Sequence, residues 1–316
     1  MSSYWDATFF DFFFIFFQRI ANLKILHPES DEIQMALLAL LAVGCGLLSP
    51  FLVLKRMTMF VNALSHTVLL GIILSFLISS ALWKASLFDP STLFLGAIGA
   101  SLLTAFLTYC MMRWFRLEEE TTVALIFSSL FALGVIFATL FTKNVHLGVE
   151  SVMGHIDAAS SSDLEWLFLA VSLVVIVVPI FYRKLQIASF DSSFAKTIGI
   201  RPEKYHLLLL FLTSMVSVFA FRAVGVILVL VFLTGPYLIA KAFSKKLKMI
   251  LILSPTIALF LAVIGVALSR HLLSSYHLAL STAGVVVSLM AAFYFAVHLV
   301  LSLFQRTKTI DSVTKP

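Results

Sequence analysis

The chain has 316 residues, of which 61% are hydrophobic and 12% charged, with a mean hydropathy of +1.06 and a formal net charge of +6. A soluble domain carries roughly 25% charged residues, so this composition excludes a water-soluble globular protein. The Lys and Arg residues fall in short clusters between apolar runs, with no basic stripe interleaved with aromatics, which excludes a nucleic-acid-binding surface.

At the N-terminus, residues 1–30 form a Phe-rich segment in which Phe9, Phe10, Phe12, Phe13, Phe14, Phe16 and Phe17 precede Arg19. It lacks the basic start and small-residue cleavage site of a secretory signal. It reads as an interfacial helix or an extra span, and Asp6 and Asp11 favour the interfacial reading. Runs long enough to cross a hydrocarbon layer of roughly 30 Å follow at about 34–54, 58–82, 91–112, 121–141, 164–182, 205–221, 223–241, 248–268 and 279–303. Phe221, Arg222 and Ala223 separate two of these runs and Gly225 follows, which fits a tight hairpin or a broken helix. The expected fold is an all-α polytopic membrane protein, a bundle of eight or nine transmembrane helices spanning 31–304 with a cytoplasmic tail at 305–316. Cys45 and Cys110 each lie inside an apolar run and read as small core residues rather than disulfide or zinc ligands.

Orientation follows from the Lys and Arg, which collect on the cytoplasmic side. If every run crosses, sixteen fall on one side, among them Lys55, Arg56, Arg113, Lys196, Lys241, Lys245, Lys246 and Lys248. Lys84, Lys143, Arg222 and Arg270 fall on the other, with Arg19 and Lys24 unassigned. The interval 142–163 is then external, with Ser160, Ser161 and Ser162 as a flexible, turn-prone stretch, and 183–204 is cytoplasmic.

The interior lacks carboxylates between Glu32 and Asp89 and between Glu203 and Asp311. An ion-coupled secondary transporter usually places one there, so that rival class is disfavoured. A Gly-Lys-Ser/Thr phosphate loop is missing and so is a His-Glu-x-x-His helix, which argues against ATP binding by this chain and against a membrane metalloprotease. What the interior keeps is Asn62 and His66, four residues apart and therefore on one helical face. Imidazole and amide oxygen suit a first-row transition metal; the alternative is a pair that hydrogen-bonds across packed helices. His271 and His277 flank Ser274 and Ser275 in an external loop, His146 and His155 lie in the other external interval, and His206 and His298 read as interfacial.

In the cytoplasmic interval, Asp191 or Ser192 can start a short helix, Gly199 can end it and Pro202 follows. It is too short to span, and it presents Phe194 and Ile198 on one face, either to a partner's groove or as an ordinary connector.

Three segments then resemble the permease subunits of bacterial ATP-binding-cassette importers for manganese, zinc and iron, over about residues 34 to 304. Leu54-Lys55-Arg56 and Val61-Asn62-Ala63-Leu64-Ser65-His66-Thr67, with Gly71 after it, are similar to a family turn and a helix reading Gly-Asp-Ala-Leu-Ser-His-Ala. Val224-Gly225-Val226-Ile227-Leu228-Val229 through Pro236 resembles a second family run, and Asp191 through Ala195 to Gly199 resembles its cytoplasmic coupling helix. The resemblance implies a cargo of divalent transition metal with no permanently bound cofactor. His66 and Asn62 would be the metal ligands, and Asp191, Phe194, Ala195, Ile198 and Gly199 would couple to an ATPase. It also implies three partners: a separate ATPase subunit, an extracytoplasmic metal-binding protein and a second permease subunit, in a multi-pass inner-membrane location. Asn62 departs from the family's Asp and lacks its negative charge, so either a partner subunit supplies that charge or the ion is held weakly here; the two permeases pair as a homo- or heterodimer, and a heterodimer whose other chain carries the carboxylate would fit.

Overall fold

A computed structural model of the chain describes residues 8–21, 29–57, 60, 63, 67, 70–71, 73–75, 77–78, 90–115, 119–142 and 156–313. Their regular structure is helical throughout: α1 (Phe9–Ala21), α2 (Ser30–Leu54), α3 (Pro90–Phe115), α4 (Glu119–Phe137), α5 (Ser161–Phe190), α6 (Ser192–Thr197), α7 (Pro202–Val224), α8 (Val226–Phe243), α9 (Leu247–Tyr276) and α10 (Thr282–Val313). The described positions between 60 and 78 are helical as well. Helices α2 to α5 and α7 to α10 are the eight, among the described residues, that are long and apolar enough to cross a bilayer. Helix is the state such sequences must adopt, because hydrocarbon offers no partner to an unpaired backbone amide.

α2 is the central rod. It packs against α5, α7, α8 and α9, and Leu37, Leu38, Leu41, Cys45, Leu48, Phe51 and Leu52 are fully buried. A helix hydrophobic on every side belongs in such a position. α10 lies at the periphery, and Phe106, Ile176, Phe260, Phe295 and Leu299 point outward from their helices, as a lipid-facing surface requires.

The two ends of the bundle differ in chemistry. At one end Arg270 of α9 pairs with buried Asp31 of α2, and the Thr282 hydroxyl donates to Asp157 Oδ1 at 2.6 Å. Arg19 reaches from α1 to Glu29 at 2.8 Å and Glu32 at 2.5 Å. At the opposite end Lys55, Arg113, Lys196 and His206 meet. These groupings coincide with the two sides assigned by the Lys and Arg distribution, and they place the unassigned Arg19 with the external group. α1 is a strongly amphipathic helix of 13 residues, short of the roughly 20 a crossing needs. It buries Phe12 and packs on α9 while exposing Phe10, Phe14 and Phe17.

Two local readings are corrected, and the break expected near 221–225 is located. Ser161 and Ser162 are the first turn of α5, because the Ser160 hydroxyl and backbone N–H both donate to Asp163 Oδ2, at 2.8 and 3.0 Å. Phe221, Arg222 and Ala223 are helical, and the break falls at Gly225, whose φ of +93° and ψ of 159° belong to a region open essentially to glycine. His271, Ser274 and Ser275 are not loop residues: α9 continues to Tyr276 and ends where His277 turns left-handed, with the Leu278 N–H bonded to the Leu272 carbonyl at 3.2 Å.

Candidate functional site: the seat of Thr67 and Gly71 on α3, and the capped inner helix

Asn62 and His66 lie outside the described residues. Their described neighbours Phe60, Ala63, Thr67, Leu70, Gly71 and Ile73 are buried, and the three- and four-residue steps from Phe60 through Ala63 and Thr67 to Leu70 and Gly71 define one inward stripe. Two contacts seat that stripe on α3. Thr104 donates from its hydroxyl to the Thr67 hydroxyl at 3.1 Å, with both residues buried. A methyl group built at Gly71 would lie 2.1 Å from the Gly96 carbonyl oxygen and 2.5 Å from Ala100 Cβ, so the two backbones touch there in the small-residue mode of membrane helices. A cavity of about 390 Å³ lies alongside, lined by Thr67, Leu70, Gly71, Leu74 and Ser75 with Gly96, Gly99 and Ala100 opposite.

The other histidines are placed as follows. His271 Nδ1 is 3.1 Å from the Ser275 hydroxyl, one turn along α9. His298 packs on the Tyr294 ring at 4.5 Å. His206, expected at an interface, is buried, with Nδ1 3.4 Å from Lys55 Nζ. His146 and His155 lie outside the described residues. Among the described residues no three His, Cys, Asp or Glu side chains converge as a metal-binding group.

The short inner helix is built as its sequence punctuation predicts. Asp191 accepts from the backbone N–H groups of Ser193 and Phe194, both at 2.9 Å, and so satisfies the donors that open α6. At the other end Gly199 adopts φ +79°. The Ile200 N–H then returns to the Ala195 carbonyl at 2.9 Å and the Gly199 N–H to that of Lys196 at 3.1 Å, closing both ends of a helix only six residues long. Ala195 is fully buried and seats α6 on the bundle, whereas Phe194 and Ile198 are about half exposed, at 53% and 48%. Phe190, the last residue of α5, adds a third exposed apolar side chain beside them.

Sequence reasoning missed the polar group at this inner end. Lys55, Tyr109, Arg113, Ser192, Lys196, Glu203 and His206 line one cavity of about 510 Å³. They come from four separated segments, so no spacing rule links them; the signal available was that each lies near a cytoplasmic end of its apolar run.

Comparison with known proteins agrees with this architecture. A metal transport system membrane protein of Chlamydia muridarum, itself named as probable, is 36% identical over 296 residues, 93% of each chain. The manganese transport system membrane protein MntD of Bacillus subtilis is 34% identical over 239 residues, covering 72% of this chain and 79% of its own. The solved structure of PsaBC from Streptococcus pneumoniae in complex with Fab superposes with a TM-score of 0.69 at 26% identity, over 86% of this chain and 92% of that one. The family model of the ABC 3 transport family matches residues 30–301, and the chain, a multi-pass inner-membrane permease rather than an enzyme, belongs to that family.

Proposed function

We propose that this chain is the membrane subunit of an ATP-driven importer whose cargo is a divalent transition metal, with manganese the first choice among manganese, iron and zinc. The observation that carries this reading is α6: a helix of one and a half turns, capped at both ends and seated by Ala195, offers Phe190, Phe194 and Ile198 outward at the inner end of the bundle. Such a unit is what a separate ATPase would grip. The manganese preference is supported by the names of relatives such as MntD.

In this reading His66 is the principal ligand of the passing ion and Asn62 an accessory one. Asp191 and Gly199 hold α6 rigid, and Phe194 and Ile198 make the ATPase contact. ATP-driven closure of the ATPase pair moves α6 as a unit, and the helices expose the central site to each side in turn. An extracytoplasmic binding protein delivers the metal, and a second permease, carrying the carboxylate that Asn62 lacks, completes the path. The ion is cargo, and no resident cofactor is required.

The test is metal uptake into vesicles holding this chain with its ATPase and binding protein, with and without ATP, for wild type and His66→Ala. Uptake that requires ATP and is lost in the variant is expected. ATP-independent uptake would point to a secondary carrier, and ATP-dependent uptake unaffected by the substitution would remove His66 from the site.

A further inference from the structure

The inner cavity of about 510 Å³ gathers Lys55 from the end of α2, Tyr109 and Arg113 from α3, Lys196 from α6, and Glu203 and His206 from the start of α7. Its described lining holds three cations against one carboxylate. Lys55 Nζ lies 3.4 Å from His206 Nδ1. An ammonium can only donate, so Nδ1 accepts and the imidazole adds no charge in that pairing. Lys196 bonds Glu203 at 3.0 Å, but both side chains are about half exposed and the pair is solvent-screened. Arg113 donates to the Tyr109 hydroxyl at 2.9 Å, which fixes the guanidinium at the rim. This excess of positive charge repels a metal ion and suits a phosphate group, to which arginine offers a planar fork and lysines offer point charges.

The surroundings identify the source of the phosphate. Trp114 and Phe115, directly after Arg113, are strongly exposed, as aromatics are at the headgroup level of a bilayer. Below them the outward face of α3 carries exposed Leu102, Leu103 and Phe106, a surface along which acyl chains can lie. Basic pockets between transmembrane helices on the cytoplasmic side suit anionic headgroups.

We propose that this cavity binds the phosphate headgroup of an anionic phospholipid of the inner leaflet, tying α6 to the ends of α2, α3 and α7. The proposal rests on the membrane orientation and not on the cargo or the ATPase.

The experiment uses the full chain in phosphatidylcholine vesicles and measures the partition of spin-labelled phosphatidylglycerol against spin-labelled phosphatidylcholine at the protein. Wild type should prefer the anionic lipid by about 25-fold, since Glu203 offsets one of the three cations and each of the remaining two contributes roughly fivefold. The double variant Arg113→Gln/Lys196→Gln should fall to within about twofold of parity, whereas the charge-retaining Arg113→Lys/Lys196→Arg should keep the preference. An unchanged preference in the first variant, or an equal loss in the second, overturns the proposal. So does a preference erased by inorganic phosphate, which would make the site one for the free anion, or by the purified ATPase, which would make it part of a protein interface.

Discussion

Gly225 and the Asp31–Arg270 pair are single positions on which much of the packing depends. At Gly225, φ +93° with ψ 159° is strained for any residue bearing a Cβ, at a cost of about 1–3 kcal/mol. Gly225→Ala is therefore expected to lower the thermal unfolding midpoint in mild detergent by several degrees, and an unchanged midpoint would contradict the turn conformation. Asp31 and Arg270 are both largely buried. Deleting one partner of such a pair leaves an uncompensated charge, typically at about 3–5 kcal/mol. Arg270→Ala should thus destabilise more than Asp31→Asn, and the double variant Asp31→Asn/Arg270→Ala should recover part of the loss, as read from the three unfolding curves. The pair has no sequence signature, since 239 residues separate Arg270 from Asp31.

Among the elements, α6 shows how far local rules reach. Its cap at Asp191 and its stop at Gly199 were legible because both are short-range hydrogen-bond patterns set by residue type. Removing the cap with Asp191→Ala should cost about 0.5–2 kcal/mol. Its expected readout is faster amide exchange across 192–199 with exchange in α5 and α7 unchanged. The span positions were legible for a different reason, since hydropathy averaged over about 20 residues survives local irregularity. Element ends were not. Three successive serines suggest a turn, yet the Asp163 carboxylate gathers Ser160 and starts α5 at that point. The helix through His271 extends past the apolar run to Tyr276, and Ser275 meets His271 one turn on. Asn62 and His66 were named from their helical spacing and from family likeness, and the packing of Thr67 and Gly71 on α3 describes the scaffold beside them.

On the scale of the whole molecule, the polarity read from Lys and Arg agrees with the partners found at each end of the bundle. That agreement makes a labelling prediction. In oriented vesicles, Ser244→Cys, between α8 and α9, should react with an impermeant maleimide only from the cytoplasmic side, and Leu278→Cys, between α9 and α10, only from the external side; reversed labelling would invert the orientation. The same layout puts α6 at the tip of α5, a rod of 30 residues and about 45 Å. Pro179 interrupts its hydrogen-bond ladder, so bending is concentrated there. That pivot divides the rod into an inner arm of about 17 Å and an outer arm of about 27 Å. A hinge uncouples the two arms: the outer arm stays seated in the bundle through buried Leu167, Ala170, Val171, Val174 and Val178, while the inner arm and α6 deflect together.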